Sequence, residues 1–296
     1  MLETPHKAGF VSIIGKPNVG KSTLMNVMVG ERLSIITSKA QTTRHRIMGI
    51  LNGDDFQIVY SDTPGIIQPK YELHESMMEF VRSSLEDADV VLFVTDIYEK
   101  YDEDDVIKRL EKSSAKILLL INKTDQATQD EVLEKINYWK DKVQAAEIIP
   151  ISALKQKNTD RVFEMILKYL PEHPAYFPKD ELTDKPERFF AAEMIREKIF
   201  LTYKKEIPYS CEVTVEEFKE EDNIIRMRAE IIVERRSQKG IIIGHGGEML
   251  KRVGSLARVD LEEFFQKKVF LEIFVKVKEN WRSDPKSLSR FGYKGS

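Results

Sequence analysis

The sequence predicts two domains in series, an α/β domain on a mainly parallel sheet and then a smaller α+β domain. Three observations predict it. As far as Leu170, short and nearly continuous apolar runs alternate with charged, helix-period segments. That is the pattern of parallel strands covered on both faces. A proline-rich stretch, PEHPAYFPKDELTDKP, then interrupts the alternation, because proline fixes φ and lacks an amide proton. Beyond it the pattern becomes one long helix, two strands, a glycine-interrupted helical stretch and a last strand. At 296 residues the chain has room for two ordinary domains. We place a first domain at 1–172, a proline-rich linker at 173–186 and a second domain at 187–296.

Residues 9–15 (GFVSIIG) read as a buried strand, and 21–30 as a helix. Residues 56–61 (FQIVYS), 90–95 (VVLFVT), 116–121 (KILLLI) and 147–151 (EIIPI) read as further strands. Charged helical segments such as 130–142 lie between them. In the second domain, 188–205 reads as an amphipathic helix carrying Phe189, Ala192, Ile195, Ile199 and Phe200 at helical spacing. Residues 210–217 and 224–234 read as strands, 239–266 as largely helical, and 268–277 (KVFLEIFVKV) as a strand. The order is therefore α-β-β-α-α-β. Phe264, Phe265, Phe270 and Phe274 read as core. The tail WRSDPKSLSRFGYKGS carries Arg282, Lys286, Arg290 and Lys294 and has two readings, extra phosphate contacts or a loose end.

Composition excludes several classes. One cysteine, Cys211, excludes a disulfide framework and a cysteine-held metal cluster within one chain. His6, His45, His74, His173 and His245 include no pair at metal-ligand spacing. No apolar run approaches the ~18 residues of a membrane span, and MLETPHKAGF does not resemble a signal peptide. We expect a cytoplasmic protein. The net charge of −3 hides an asymmetry. Residues 187–296 carry 22 Lys and Arg against 19 Asp and Glu, leaving 24 against 30 elsewhere. Between Arg235 and Arg258 stand six basic residues and one acid, Glu248, a patch suited either to a polyanion or to plain solvation.

The strongest motif is Gly15-Lys16-Pro17-Asn18-Val19-Gly20-Lys21-Ser22, followed by Thr23. It fits G-x-x-x-x-G-K-[ST] and sits after a strand and at a helix start, as that motif must. Its glycines let backbone N–H groups converge on phosphate oxygens, and the helix N-terminus adds partial positive charge. Lys21 supplies a point charge and Ser22 a hydroxyl for Mg²⁺. Asp62-Thr63-Pro64-Gly65 ends a strand. Asp62 there can hold Mg²⁺, and the Gly65 N–H can sense a terminal phosphate. Asn122-Lys123-Thr124-Asp125 also ends a strand. The Asp125 carboxylate can accept from guanine N1–H and its exocyclic amine, and adenine offers neither. Asn122 would tie this loop to the phosphate loop and the Lys123 stem would cover the base. Ser152-Ala153-Leu154 ends the last strand of the first domain and suits a backbone contact to guanine O6.

These segments, in this order, resemble the P-loop GTPases of the Ras-like fold. The form GKPNVGKS…DTPG…NKTD is similar to their bacterial ribosome-assembly and RNA-modification branch. In the second domain, Gly244-His245-Gly246-Gly247 fits the G-x-x-G loop of KH domains, and the element order is that of the type II KH fold. The phrases KAQTTRHR, PAYFPKDELTDKPERF and VERRSQKGIIIGHGGEMLK extend the likeness to a ribosome-assembly member of that branch over essentially the whole chain.

The resemblance implies a Ras-like GTP-binding domain joined to a KH domain. Its cofactors would be GTP and Mg²⁺. Lys21, Thr43, Asp62, Gly65 and Asn18 would serve hydrolysis. Ser22, Asp62 and a switch-loop threonine, Thr43 in preference to Thr42, would hold the metal. Asn18 would ligate a K⁺ ion. RNA would meet Arg235, Arg236, Lys239, Ile242, Ile243, Gly244, His245, Gly246, Gly247, Lys251 and Arg252. The implied RNA is the 3′ end of 16S ribosomal RNA, during assembly of the small (30S) subunit. Peripheral association with the inner face of the membrane and a monomeric state are implied too. Ile66 stands where Ras carries its water-orienting glutamine. That predicts slow intrinsic turnover, on the scale of Ras alone at ~3–5 × 10⁻⁴ s⁻¹. Three other readings stay open: a GTPase acting in RNA modification, a GTP-gated RNA-binding module that scarcely hydrolyses, and a membrane-associated signalling GTPase.

Overall fold

A computed structural model of the protein describes residues 5–99 and 113–293, with Ile107 and Leu110 between them. By its contacts the chain divides into two compact units, Met1–Gln68 with Met77–Asp184, and Pro69–Ser76 with Lys185–Ser296.

The first unit is built on a six-stranded sheet. Its strands are β1 (Lys7–Ile14), β2 (Ile47–Asn52), β3 (Phe56–Asp62), β4 (Val90–Asp96), β5 (Lys116–Asn122) and β6 (Glu147–Pro150). Their order is β2-β3-β1-β4-β5-β6, and every pair is parallel except β2 with β3. Helices α1 (Lys21–Val29), α2 (Glu72–Glu86, in this unit from Met77), α3 (Gln129–Lys140) and α4 (Thr159–Tyr169) lie among them. All seven residues of β4 are buried, as expected of a central strand covered on both faces. Helix α3 starts on a reciprocal cap between Thr128 and Glu131, and its Trp139 packs edge-on against Phe93 of β4 at 5.5 Å.

Strand β2 is an element that the sequence reading lacks. It is an antiparallel edge with half its residues partly exposed. The proline-rich stretch runs along this edge. The Ile50 N–H donates to the Leu182 carbonyl at 2.8 Å, and the Met48 N–H to Asp184 Oδ1 at 2.9 Å. Gln57 adds three bonds to Tyr176 and Phe177. The backbone donors of an open edge are thereby covered.

The second unit has the predicted order: α5 (Glu187–Thr202), β7 (Cys211–Glu220), β8 (Ile224–Val233), α6 (Arg236–Ile243), α7 (Glu248–Phe265), β9 (Lys268–Val277). The sheet runs β7-β8-β9, with β8 and β9 parallel. Helices α5 and α7 pack on β7 and β9 over one core, in which Phe264 and Phe265 are partly buried. Phe270 and Phe274 correct the core reading, being 46% and 49% exposed. They alternate with buried Val269 and Val275 and so point to the other side of the sheet.

The tail is not loose as far as Tyr293. Trp281 and Leu288 are fully buried, and α8 (Pro285–Arg290) starts on an Asp284 cap. Lys294 lies outside the described residues. No described helix is long and apolar enough to cross a membrane.

Candidate nucleotide site and nucleic-acid interface

The sheet's strand order reverses between β3-β1 and β4-β5. Such a reversal opens a crevice at the carboxyl ends of the strands. A cavity of about 490 Å³ lies there, lined by Pro17, Asn18, Gly20, Lys21, Ser22 and Thr23 from the loop after β1. Thr42, Thr43, Gly65, Asn122, Lys123, Asp125, Ser152 and Leu154 are among the residues that line it from the other loops.

Gly20 precedes α1 with φ 99°, and a Cβ there would sit 2.2 Å from Asn122 Nδ2. The position needs both glycine's left-handed backbone and its missing side chain. Asn122 then joins three loops. Its Nδ2 donates to the Val19 carbonyl at 2.8 Å, and its Oδ1 accepts from the Ala153 N–H at 2.9 Å. The Ala153 amide is thus committed to Asn122, and the cavity wall beside it is formed by Ser152 and Leu154. Thr63 is likewise committed, its hydroxyl donating to the Ile13 carbonyl at 2.8 Å, which leaves Thr63 and Pro64 behind the site. Gly65 packs against Pro17, and the Ile66 N–H donates to the Gly15 carbonyl at 3.0 Å.

Three oxygen donors converge at the α1 N-terminus. Ser22 Oγ donates to Asp62 Oδ2 at 2.7 Å and lies 2.8 Å from Thr43 Oγ1. Thr43 Oγ1 is 3.5 Å from the same carboxylate oxygen. Thr42 turns away, bonded to Thr37 Oγ1 at 2.6 Å and the Lys39 carbonyl at 2.7 Å. The other oxygen of Asp62, Oδ1, is buried without a hydrogen-bond partner. Burial pushes the Asp62 carboxyl up, while Lys21 and the Ser22, Ser34 and Thr43 hydroxyls pull it back. An orphaned buried carboxylate oxygen beside two hydroxyls fits a hard cation that keeps several waters, as Mg²⁺ does.

Lys21 is buried, and its Nζ donates to the Lys16 carbonyl at 2.9 Å. Burial pushes its ammonium down to about 8, against upward pulls from Asp62 and Glu99. The Lys16 ammonium points to Glu99 at 3.5 Å, and Lys16 does not line the cavity. Asn18 has φ 65° and donates through Nδ2 to the Ser38 carbonyl at 3.0 Å, leaving its amide oxygen as acceptor. The Lys123 ammonium is pinned to Asp96 at 2.7 Å while its stem lines the cavity.

In the second unit, Gly244–Gly247 joins α6 to α7. Gly244 has φ 73°, and a Cβ on it would lie 2.6 Å from Met249 Cγ. A Cβ on Gly246 or Gly247 would meet nothing within 4 Å, so that face of the loop is open. Ile242 corrects the RNA-facing reading. It is 0% exposed, in the core with Val253, Ala257 and Leu261, and its carbonyl accepts from the Tyr203 hydroxyl at 2.6 Å. The exposed isoleucine is Ile241, at 48%. A run of three isoleucines does not reveal its own helical register, and Ile243 is only partly buried. His245 is exposed, as are Arg235, Arg236, Lys251 and Arg252. Among the described residues these four, with Lys239 and Arg258, make no ion pair. Arg226, Arg228, Lys267, Lys276 and Arg282 of the same unit each have a carboxylate.

Family models match stretches of both units. The family model of the 50S ribosome-binding GTPases matches residues 10–123, and that of the KH domain residues 206–282. The chain is 47% identical to GTPase Era of Syntrophus aciditrophicus, over 97% of this chain and 95% of that protein. It is 47% identical to GTPase Era of Geobacter metallireducens over 99% and 100%. A crystal structure of Era in complex with MgGDPNP and nucleotides 1506–1542 of 16S ribosomal RNA is 42% identical, with a TM-score of 0.92. It covers 98% of this chain and 100% of that one. A single-substitution variant of Aquifex aeolicus Era bound to GDP·AlF4− is similar to the same degree.

Proposed function

The chain belongs to the Era family of GTPases, and from that premise we propose a nucleotide switch whose KH domain grips the 3′ end of 16S ribosomal RNA during 30S assembly. The enzyme hydrolyses GTP to GDP and phosphate. In this reading the loop from Gly15 to Thr23 holds the phosphates, and Lys21 faces the β- and γ-oxygens as a point charge. Ser22, Thr43 and Asp62 would hold Mg²⁺, which when bound neutralises charge between those phosphates. Thr43 and the Gly65 N–H are released when the γ-phosphate leaves. Asp125 reads guanine. The RNA half rests on one observation. Arg235, Arg236, Lys239, Lys251 and Arg252 stand on or at the ends of the two helices that the open Gly244–Gly247 loop joins, and among the described residues none of them makes an ion pair. Unneutralised Lys and Arg beside an open glycine loop suit a sugar–phosphate chain.

Fluorescence anisotropy with a short single strand from the 16S 3′ end tests this. We expect tighter binding with a GTP analogue than with GDP, and weak binding of a scrambled strand. The double variant R235Q/R236Q should flatten the salt dependence by about 1.4 in log K per log salt, at ~0.7 per lost phosphate contact. Equal binding of both strands in both nucleotide states would leave a GTPase with some other partner.

Ile66 is buried and its N–H is taken by Gly15, so it cannot orient water. Slow turnover follows, and charge must be neutralised from elsewhere. We assign that role to K⁺ held by the Asn18 amide oxygen. Hydrolysis should run about tenfold faster in potassium than in sodium buffer, and N18A should remove the difference. Equal wild-type rates in the two salts would dismiss it. Peripheral membrane association and a monomeric state belong to the same reading, and vesicle sedimentation at physiological salt and ultracentrifugation test them.

A further inference from the structure

Between β4 and the residues that follow it is a turn that none of the nucleotide motifs contains. Asp96, the last residue of β4, folds it: Oδ1 accepts the N–H of Tyr98 at 3.0 Å and of Glu99 at 2.9 Å. Aspartate favours such turns because its short side chain reaches its own downstream backbone. Oδ2 of the same residue holds the ammonium of Lys123, in the loop read as guanine-binding, at 2.7 Å. Glu99 reaches the other way. Its Oε2 accepts from Thr95 Oγ1 at 2.8 Å, and its Oε1 faces the Lys16 ammonium, in the loop read as phosphate-binding, at 3.5 Å. Its carbonyl accepts from Lys135 of α3 at 2.5 Å. The Glu99 side chain is almost wholly buried. Burial pushes its carboxyl up, and Thr95 and Lys16 hold it back. Oε1 is buried with no hydrogen-bond partner beyond the ion pair to Lys16, and a buried carboxylate is costly unless paired, so its hold on Lys16 is the contact that constrains the loop.

The consequence lies at Lys16. Its carbonyl seats the Lys21 ammonium at 2.9 Å, while its own ammonium is turned out of the cavity towards Glu99. We infer that Glu99 is a positioning residue for the nucleotide: through Lys16 it fixes the carbonyl that seats Lys21, and through the Asp96 turn it joins the loops gripping the two ends of GTP. This rests on the assignment of those two loops to phosphate and guanine proposed above.

Removing a negative charge near anionic phosphates should tighten nucleotide binding if charge were all that Glu99 contributed. Loss of positioning should weaken it. The experiment measures Kd for GDP and a GTP analogue, kcat, KM and melting temperature on the full chain, for wild type, E99Q, K16M and the double variant. We expect E99Q to weaken both nucleotides about tenfold and to lower kcat severalfold as well, because the seat of Lys21, which serves the transition state, is loosened. K16M should match it, and the double variant should be no weaker than either single one, the mark of one shared interaction. K16M carries the same prediction should E99Q not fold, since Lys16 lies nearer the surface. Unchanged or tighter binding in E99Q, or additive losses in the double variant, would overturn the inference. Failure of the wild type to bind guanine nucleotides would instead overturn the loop assignment beneath it.

Discussion

Replacing Lys21 by alanine lowers kcat for GTP hydrolysis about a thousandfold, and kcat/KM by at least as much. The ammonium is buried and held 2.9 Å from the Lys16 carbonyl at the mouth of α1. A preorganised cation in a water-poor site is worth far more to developing charge than one in solvent, because it has no shell of water to reorganise. A thousandfold corresponds to ~4 kcal/mol of transition-state stabilisation, the scale found on removing one preorganised donor from such a site. Arginine should not rescue the variant, since its planar fork does not fit where a compact ammonium is enclosed. Single-turnover phosphate release with saturating GTP and Mg²⁺ measures the effect. Melting temperature without nucleotide separates it from unfolding, because Asp62 loses a favourable charge in the variant. Turnover within tenfold of wild type would take Lys21 out of the chemistry.

The residues around Lys21 were legible in the sequence because the loops are contiguous strings with fixed chemistry. Glycine is forced at Gly20 by backbone and neighbour alike, and the tie from Asn122 to the phosphate loop follows from the order of strands. The second domain was legible in its element order, since a change from continuous apolar runs to alternation marks a change of architecture. The failures share one cause, that a linear pattern does not say what covers a face. In KVFLEIFVKV one face is Val-Leu-Ile-Val-Val and the other Lys-Phe-Glu-Phe-Lys, and the packing of α5 and α7 on the first leaves Phe270 and Phe274 outside. The order GIIIG does not say which isoleucine turns inward. Strand β2 carries no crossover helix and follows a long polar loop, so its short edge run lacked the context that marked the other strands. The hold on the tail depends on Trp281 and Leu288, lone apolar residues in a charged stretch. Glu99 had no motif at all: its partners Lys16 and Lys135 are far from it in sequence and come together only when β1, β4 and α3 pack.

Asp125→Asn separates the guanine end of the site from the phosphate end. Asp125 sits on the short 3₁₀ turn Thr124–Gln126 and lines the cavity. The turn is fixed from outside the side chain: the Thr124 N–H and hydroxyl both donate to the Ile151 carbonyl, at 3.1 and 2.8 Å. An asparagine there should keep the carboxylate's position and change only its hydrogen bonding. Guanine presents two donors, N1–H and the exocyclic amine, and an amide can accept only one while turning its own N–H towards the other. Two charge-assisted bonds at ~1.5–3 kcal/mol each are lost or reversed, which predicts GTP binding weaker by ~10²–10⁴-fold. Xanthine carries a carbonyl oxygen in place of the exocyclic amine, and so matches the amide donor for acceptor. The variant should therefore prefer xanthosine over guanosine nucleotides and hydrolyse XTP with nearly the wild-type kcat, since Lys21, Ser22, Thr43 and Asp62 are untouched. Competition of GDP and XDP for the site and steady-state hydrolysis of GTP and XTP measure it. Retained preference for guanine would move base reading away from Asp125. Lys21→Ala lowers kcat, whereas Asp125→Asn raises KM for one base and lowers it for another. A single cavity yielding both patterns is one in which binding of the base and chemistry at the phosphate belong to different loops.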